Sequence, residues 1–263
     1  MTWIAALPMY EVTPALAYEW RAWLADVLAR VEPACRIVEV SEELHGFWRR
    51  PDLLLSQTCG YPLMHGLREQ VQLVATPRFH AHGCEGADYS SVLVTRADAP
   101  FDTLASCRGA RAACNQDDSN SGMNVFRHAV APLAHGEPFF ASVLQTGSHV
   151  GSLRAVADNQ ADVAAIDCVT FAFVCDALPD LARRVRRIGM TAASPGLPLI
   201  AASTVPQATI DALRVALDEA VDAQPERARR LRLLGFSRLA LSDYARIVEL
   251  ENDARAMGYA RLV

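Results

Sequence analysis

Six consecutive residues, Asp117, Asp118, Ser119, Asn120, Ser121 and Gly122, stand between an apolar run with strand character and a run with helix character. Two hydroxyls, an amide and a glycine at a helix start can do one of two things. A helix N-terminus leaves backbone N–H groups without partners and carries partial positive charge. It can therefore receive a small anion, with the hydroxyls as added donors and Gly122 opening an approach to the backbone. Alternatively, Asp118 or Ser119 accepts from those same N–H groups and the helix caps itself. His149 poses the same choice at a second helix start, as a donor to an anion or as a packed side chain. Asp167 closes another apolar run, where its carboxylate takes a ligand amine or hydroxyl or caps the next helix. Tyr10, Tyr61 and Tyr89 can wall a pocket or simply pack.

Other chemistries fare worse. All 25 basic residues are Arg, and the absence of lysine excludes a P-loop lysine, a Schiff base and a lysine general base. The stretch RFHAHGCEG places His80, His82 and Cys84 at alternate positions, with Cys59 as a further candidate ligand. It matches no standard zinc spacing, so no metal and no cofactor is expected. The 7 cysteines form neither a C-x-x-C pair nor a disulfide framework, and they read as buried small hydrophobes of a reducing compartment. In an exported chain, Cys59 and Cys84 are a conceivable pair. Ser148 and His149 are adjacent, which keeps them from forming a nucleophile–base pair, and no G-x-S-x-G elbow occurs. Cys59 has no cysteine-hydrolase signature around it. The reading is a binder, not an enzyme.

Positioning these residues is the work of alternating elements. With 263 residues, 51% of them hydrophobic, the chain can bury a sizeable core. Strand-like runs cover 3–10, 36–41, 51–58, 71–79, 89–97, 110–116, 139–147, 161–168, 182–191 and 198–204. Helix-like runs cover 14–31, the stretch up to Val130, 148–160 behind a Ser148 cap, and 169–178. From Gln207 onward the chain reads as helical, with breaks at Pro225 and Gly235. The pattern restarts near Phe101. It predicts an α/β chain of two lobes, residues 1–93 and 193–263 forming the first and 94–192 the second, each a mixed, mainly parallel sheet flanked by helices. In such sheets ligands gather at the carboxyl ends of strands, where most of the polar candidates fall.

The net charge of −5 argues against nucleic acid as a partner, and no run of 18 apolar residues argues for membrane insertion. The opening MTWIAALPMY has neither a basic segment nor a cleavage site, so the sequence as it stands reads as cytoplasmic, and as periplasmic if a signal has been removed. The arginine-rich PERARRLRLLG (225–235) reads as a solvated face; docking to a partner protein is the alternative, which would suit a cytosolic sensor.

The runs YSSVLVTRAD (89–98), LASCRGARAAC (104–114), SNSG (119–122), FFASVLQTGSHVGSLRAVADNQADVAAID (139–167) and PLIAAS (198–203) resemble the phosphate/phosphonate substrate-binding proteins of ABC importers, which have the type II periplasmic-binding-protein fold. The resemblance is good over about residues 85–205. It implies a small anionic ligand held between two lobes, without catalysis, and an ABC permease as partner. It implies that Ser119, Asn120, Ser121 and Gly122 hold a phosphonate head, that Tyr89 and His149 line the site, and that Asp167 meets the ligand's far end; Tyr61 is added as a wall. Two positions depart from the pattern. Asp118 stands where phosphonate binders tend to carry another hydroxyl, and Asn120 has an amide in place of one. Enzymes on pyrimidine- or thiamine-like compounds use the same fold and are the alternative.

Overall fold

A computed structural model describes residues 2–40 and 43–263. By internal contacts the chain divides into two units. The first holds residues 1–80, 85–87 and 195–244, the second 81–84, 88–194 and 245–263.

The first unit is built on a six-stranded sheet in the order Leu233–Ser237, Val71–Phe79, Leu199–Ala202, Leu53–Gln57, Ile4–Ala6, Arg36–Ile37. Ile4–Ala6 runs parallel to Arg36–Ile37 and to Leu53–Gln57, and the remaining ladders are antiparallel. Leu53, Leu54 and Leu55 are fully buried, as a continuous apolar run covered on both faces must be. Helix Pro14–Val31 starts as its sequence dictates, with Pro14 in the first turn and Thr13 Oγ1 accepting from Leu16 N at 3.3 Å. It buries Trp20, Trp23, Leu24, Val27 and Leu28 and packs on helix Gln207–Ala223. The strand expected over 36–41 pairs only at Arg36 and Ile37, and Ser41 lies outside the described residues.

One expectation fails here. The stretch after Arg230 is a strand, Leu233–Ser237, and not helix. Arg232 and Gly235 take positive φ, 55° and 130°, which a right-handed helix cannot accommodate. Leu233, Gly235, Phe236 and Ser237 then pair antiparallel with the long strand Val71–Phe79, with a register shift at Gly235.

The second unit has a five-stranded sheet in the order Val185–Met190, Ser91–Arg96, Val163–Asp167, Arg111–Cys114, Ser142–Gln145. The last three strands are mutually parallel, and Ser91–Arg96 is antiparallel to both neighbours. Its helices include Val125–Ala134, His149–Ala157, Cys168–Ala177 and Ala245–Ala256. Residues 81–84, 88–93, 193–194 and 245–263, expected in the first lobe, fall in the second unit. The ladder from Ser91 to Thr95 against Val163–Asp167 brings residues 88–93 into the second unit. The C-terminal segment belongs there too: Asn124 Nδ2 donates to Ile247 O at 3.0 Å, Arg127 Nη1 donates to Ala260 O at 2.9 Å, and Arg127 pairs with Glu251 at 3.6 Å, both of these charged side chains being buried.

Candidate functional site

The three mutually parallel strands end at one edge of the second unit's sheet, and each hands the chain to a helix there. Val163–Asp167 leads into Cys168–Ala177. Arg111–Cys114 leads through residues 115–119 into a wide turn, Asn120–Asn124, that opens helix Val125–Ala134. Ser142–Gln145 leads through Thr146–Ser148 into His149–Ala157. Parallel pairing thus gathers Asp167, the Ser119–Gly122 stretch and His149 on one edge, the place where open α/β sheets bind ligands.

The turn at Asn120–Asn124 is wound wider than an α-helix. Asn124 N donates to Ser119 O at 3.0 Å, five residues back, and Val125 N donates to Asn120 O. Ser119 caps it, its Oγ accepting from Gly122 N at 3.0 Å. That much is self-capping. The turn is closed in: Asn120, Ser121, Gly122, Met123 and Asn124 are all buried.

Side chains fix the turn. Ser121 Oγ lies 2.8 Å from His149 Nε2, and Ser91 Oγ donates to Ser121 O at 2.9 Å. Asn120 Nδ2 donates to Tyr89 OH at 3.1 Å and to Ser194 Oγ at 2.9 Å, while its Oδ1 accepts from Asn124 Nδ2 at 3.0 Å. Thr191 Oγ1 accepts from Ser91 N at 2.9 Å. Gly122 is required by space: a Cβ there would stand 1.8 Å from Asn115 Oδ1 and 3.2 Å from His149 Cε1. Asn115 Oδ1 itself is buried and has no hydrogen-bond partner among the described residues.

Burial drives the His149 imidazole down to about 4, opposed only by the Ala165 backbone, so the ring is neutral near pH 7. Its Nδ1 has no hydrogen-bond partner of ordinary geometry among the described residues. Asp167 is buried, and its Oδ1 accepts from Val169 N at 2.8 Å and Thr170 N at 2.9 Å, so it caps the helix it precedes. Tyr89 is buried in the Asn120 network. Tyr61 belongs to the first unit, on the turn Gly60–Pro62, with its ring 4.2 Å from that of His65.

Asn115, Ser91, Thr191 and Ser194 were not singled out from the sequence. Asn115 fell inside the strand-like run 110–116, whereas the strand ends at Cys114. The others are serines and threonines whose only mark is the partner they meet, and sequence does not show partners. Among the described residues no cluster of His, Cys, Asp or Glu is placed to hold a metal ion. Cys84 Sγ lies 3.4 Å from Cys168 Sγ, a neighbour that sequence spacing did not suggest.

A profile of the family described as "ABC transporter, phosphonate, periplasmic substrate-binding protein" matches residues 23–246. The chain belongs to that family. Comparison with curated proteins gives no match. Among solved structures, the binding protein component of an ABC phosphonate transporter from Pseudomonas aeruginosa superposes with a TM-score of 0.82 at 19% identity, covering 97% of this chain and 87% of that one. PhnD1 from Prochlorococcus marinus, in complex with methylphosphonate, gives 0.78 at 12% identity, covering 97% and 98%. The Xanthomonas citri protein XAC2383 bound to ATP gives 0.70 at 19% identity, covering 97% and 98%. At these identities the likeness is one of fold, the two-lobed periplasmic-binding-protein fold, with a mixed α/β sheet in each unit. No helix among the described residues is long and apolar enough to cross a membrane.

Proposed function

We propose that this substrate-binding protein takes a small phosphonate- or phosphate-type anion, with the anionic head seated on the turn Ser119–Met123. The observation that carries this reading is the buried Ser121 hydroxyl, 2.8 Å from His149 Nε2, at a helix start on the carboxyl edge of the parallel strands. An anionic oxygen accepts a charge-assisted hydrogen bond from such a hydroxyl, worth about 1.5–3 kcal/mol. The Ser121 hydroxyl offers its hydrogen to the anion, with the neutral His149 ring beside it. Asn120 and Tyr89 hold the turn's shape. Asp167 meets the ligand's far end and Tyr61 forms a wall. Asp118 opposes a second negative charge, which favours a monoanionic head over a dianion.

The role is binding, not turnover. A serine hydroxyl on an imidazole is also how a nucleophile is activated, but a ring held down to about 4 is a weak base near neutrality. The working partner is an ABC permease and the working compartment the periplasm.

Native mass spectrometry of fresh protein, followed by calorimetry with methylphosphonate, phosphate and sulfate, tests this. Binding of the first or second with intact ligand recovered supports it. No binding of any, or recovery of a cleaved product, rules it out.

A further inference from the structure

The geometry points to Cys84 and Cys168 as a dithiol that converts to a disulfide, a redox modification site separate from the anion-binding turn. Their sulfurs are 3.4 Å apart, and they are 84 residues apart in sequence. The approach is built and held. Ser90 N donates to Gly83 O at 2.8 Å and Cys168 N donates to Ser90 O at 3.2 Å, so the segments bearing the two thiols hang on one residue. Gly83, at φ 103°, has no Cβ to obstruct them; one would stand 3.2 Å from Cys168 Cβ and 2.5 Å from Met190 Cε. The sulfurs stand within about 1.4 Å of the disulfide length of about 2.05 Å.

The two thiols differ in access. Cys84 is half-buried and Cys168 buried. Contact with Cys84, burial and the neighbouring Asp167 carboxylate all raise the Cys168 thiol. Cys84 is therefore the sulfur that attacks an incoming low-molecular-weight disulfide. Cys84 Sγ bonds to one sulfur of that reagent and the other leaves as a thiolate. Cys168 then loses its proton, its Sγ bonds to Cys84 Sγ, and the second thiol leaves. Two protein thiols are oxidised and one reagent disulfide is reduced to two thiols. The bond staples the segment carrying Tyr89 to the one carrying Asp167.

The test treats native protein with oxidised glutathione, blocks remaining thiols and maps tryptic peptides without reduction. Because every basic residue is Arg, Cys84 falls in peptide 79–96 and Cys168 in peptide 155–183, where fragment ions separate it from Cys175. The expected result is loss of two of the 7 thiols, a Cys84–Cys168 link, and a Tm several degrees higher that reducing agent reverses. C84S is expected to lose both link and shift. Retention of all thiols, a lasting glutathione adduct on Cys84, or a link between other cysteines overturns the proposal. The mapping on unaltered protein decides even if the variant does not fold.

Discussion

The pattern Ser-x-x-Gly opens two helices of the second unit, at Ser119–Gly122 and at Ser148–Gly151, and the two copies make the same local bond. In each the serine Oγ accepts from the glycine N at 3.0 Å. They differ in everything around that bond. Ser148 is exposed and caps an ordinary α-helix. Ser119 is buried and caps a wider turn. What separates the copies is winding and burial, not the four-residue pattern.

Glycine substitution breaks the comparison hardest. Gly122→Ala forces a Cβ to 1.8 Å from Asn115 Oδ1, and we expect methylphosphonate affinity in calorimetry to fall at least ~100-fold, with a lower Tm. Gly151→Ala meets Thr146 O at 2.8 Å, so Tm should fall there as well, while affinity stays within about threefold. Equal losses of affinity in the two variants would show that the exposed cap matters as much as the buried one. Serine removal is milder. Ser121→Ala deletes the hydroxyl shared with His149, worth about 1.5 kcal/mol to a bound anion or roughly tenfold in Kd. Ser148→Ala should lower stability by ~1 kcal/mol in urea unfolding and leave Kd unchanged.

The smallest effect is on pH dependence. His149 in the folded state is pushed down to about 4 from an ordinary 6.5. Between those values the unfolded chain binds the proton and the folded chain does not, so stability falls as pH falls from about 6.5 to about 4. His149→Gln should have a shallower Tm decline across that window than the unaltered protein. A parallel decline would mean that the ring is not held neutral by the fold.

How much of this was legible in the sequence depended on how local its cause was. Helix Pro14–Val31 and strand Val71–Phe79 are marked by periodicity, a proline and a cap, all local, and they stand where the pattern puts them. The strand Leu233–Ser237 depends on a partner more than 150 residues upstream and on the positive φ of Arg232 and Gly235, so its apolar run passed for helix. The same split runs through the site. SNSG announces a helix start, and the polar ends of three strands are visible as composition. Parallel pairing brings those ends together, and it joins Ser121 to His149 across 28 positions and Asn120 to Ser194 across 74. The wide winding of Asn120–Asn124 has no sequence signature at all.

The bracing of the turn by the C-terminal segment has a consequence for biosynthesis. Asn124 and Arg127 are fastened to Ile247, Glu251 and Ala260, so a nascent chain that has emerged as far as residue 200 carries the whole ligand turn without its buttress. The second unit completes its packing only once residues 245–263 are in place. A chain cut before Ala245 leaves the Arg127 guanidinium without the Glu251 carboxylate.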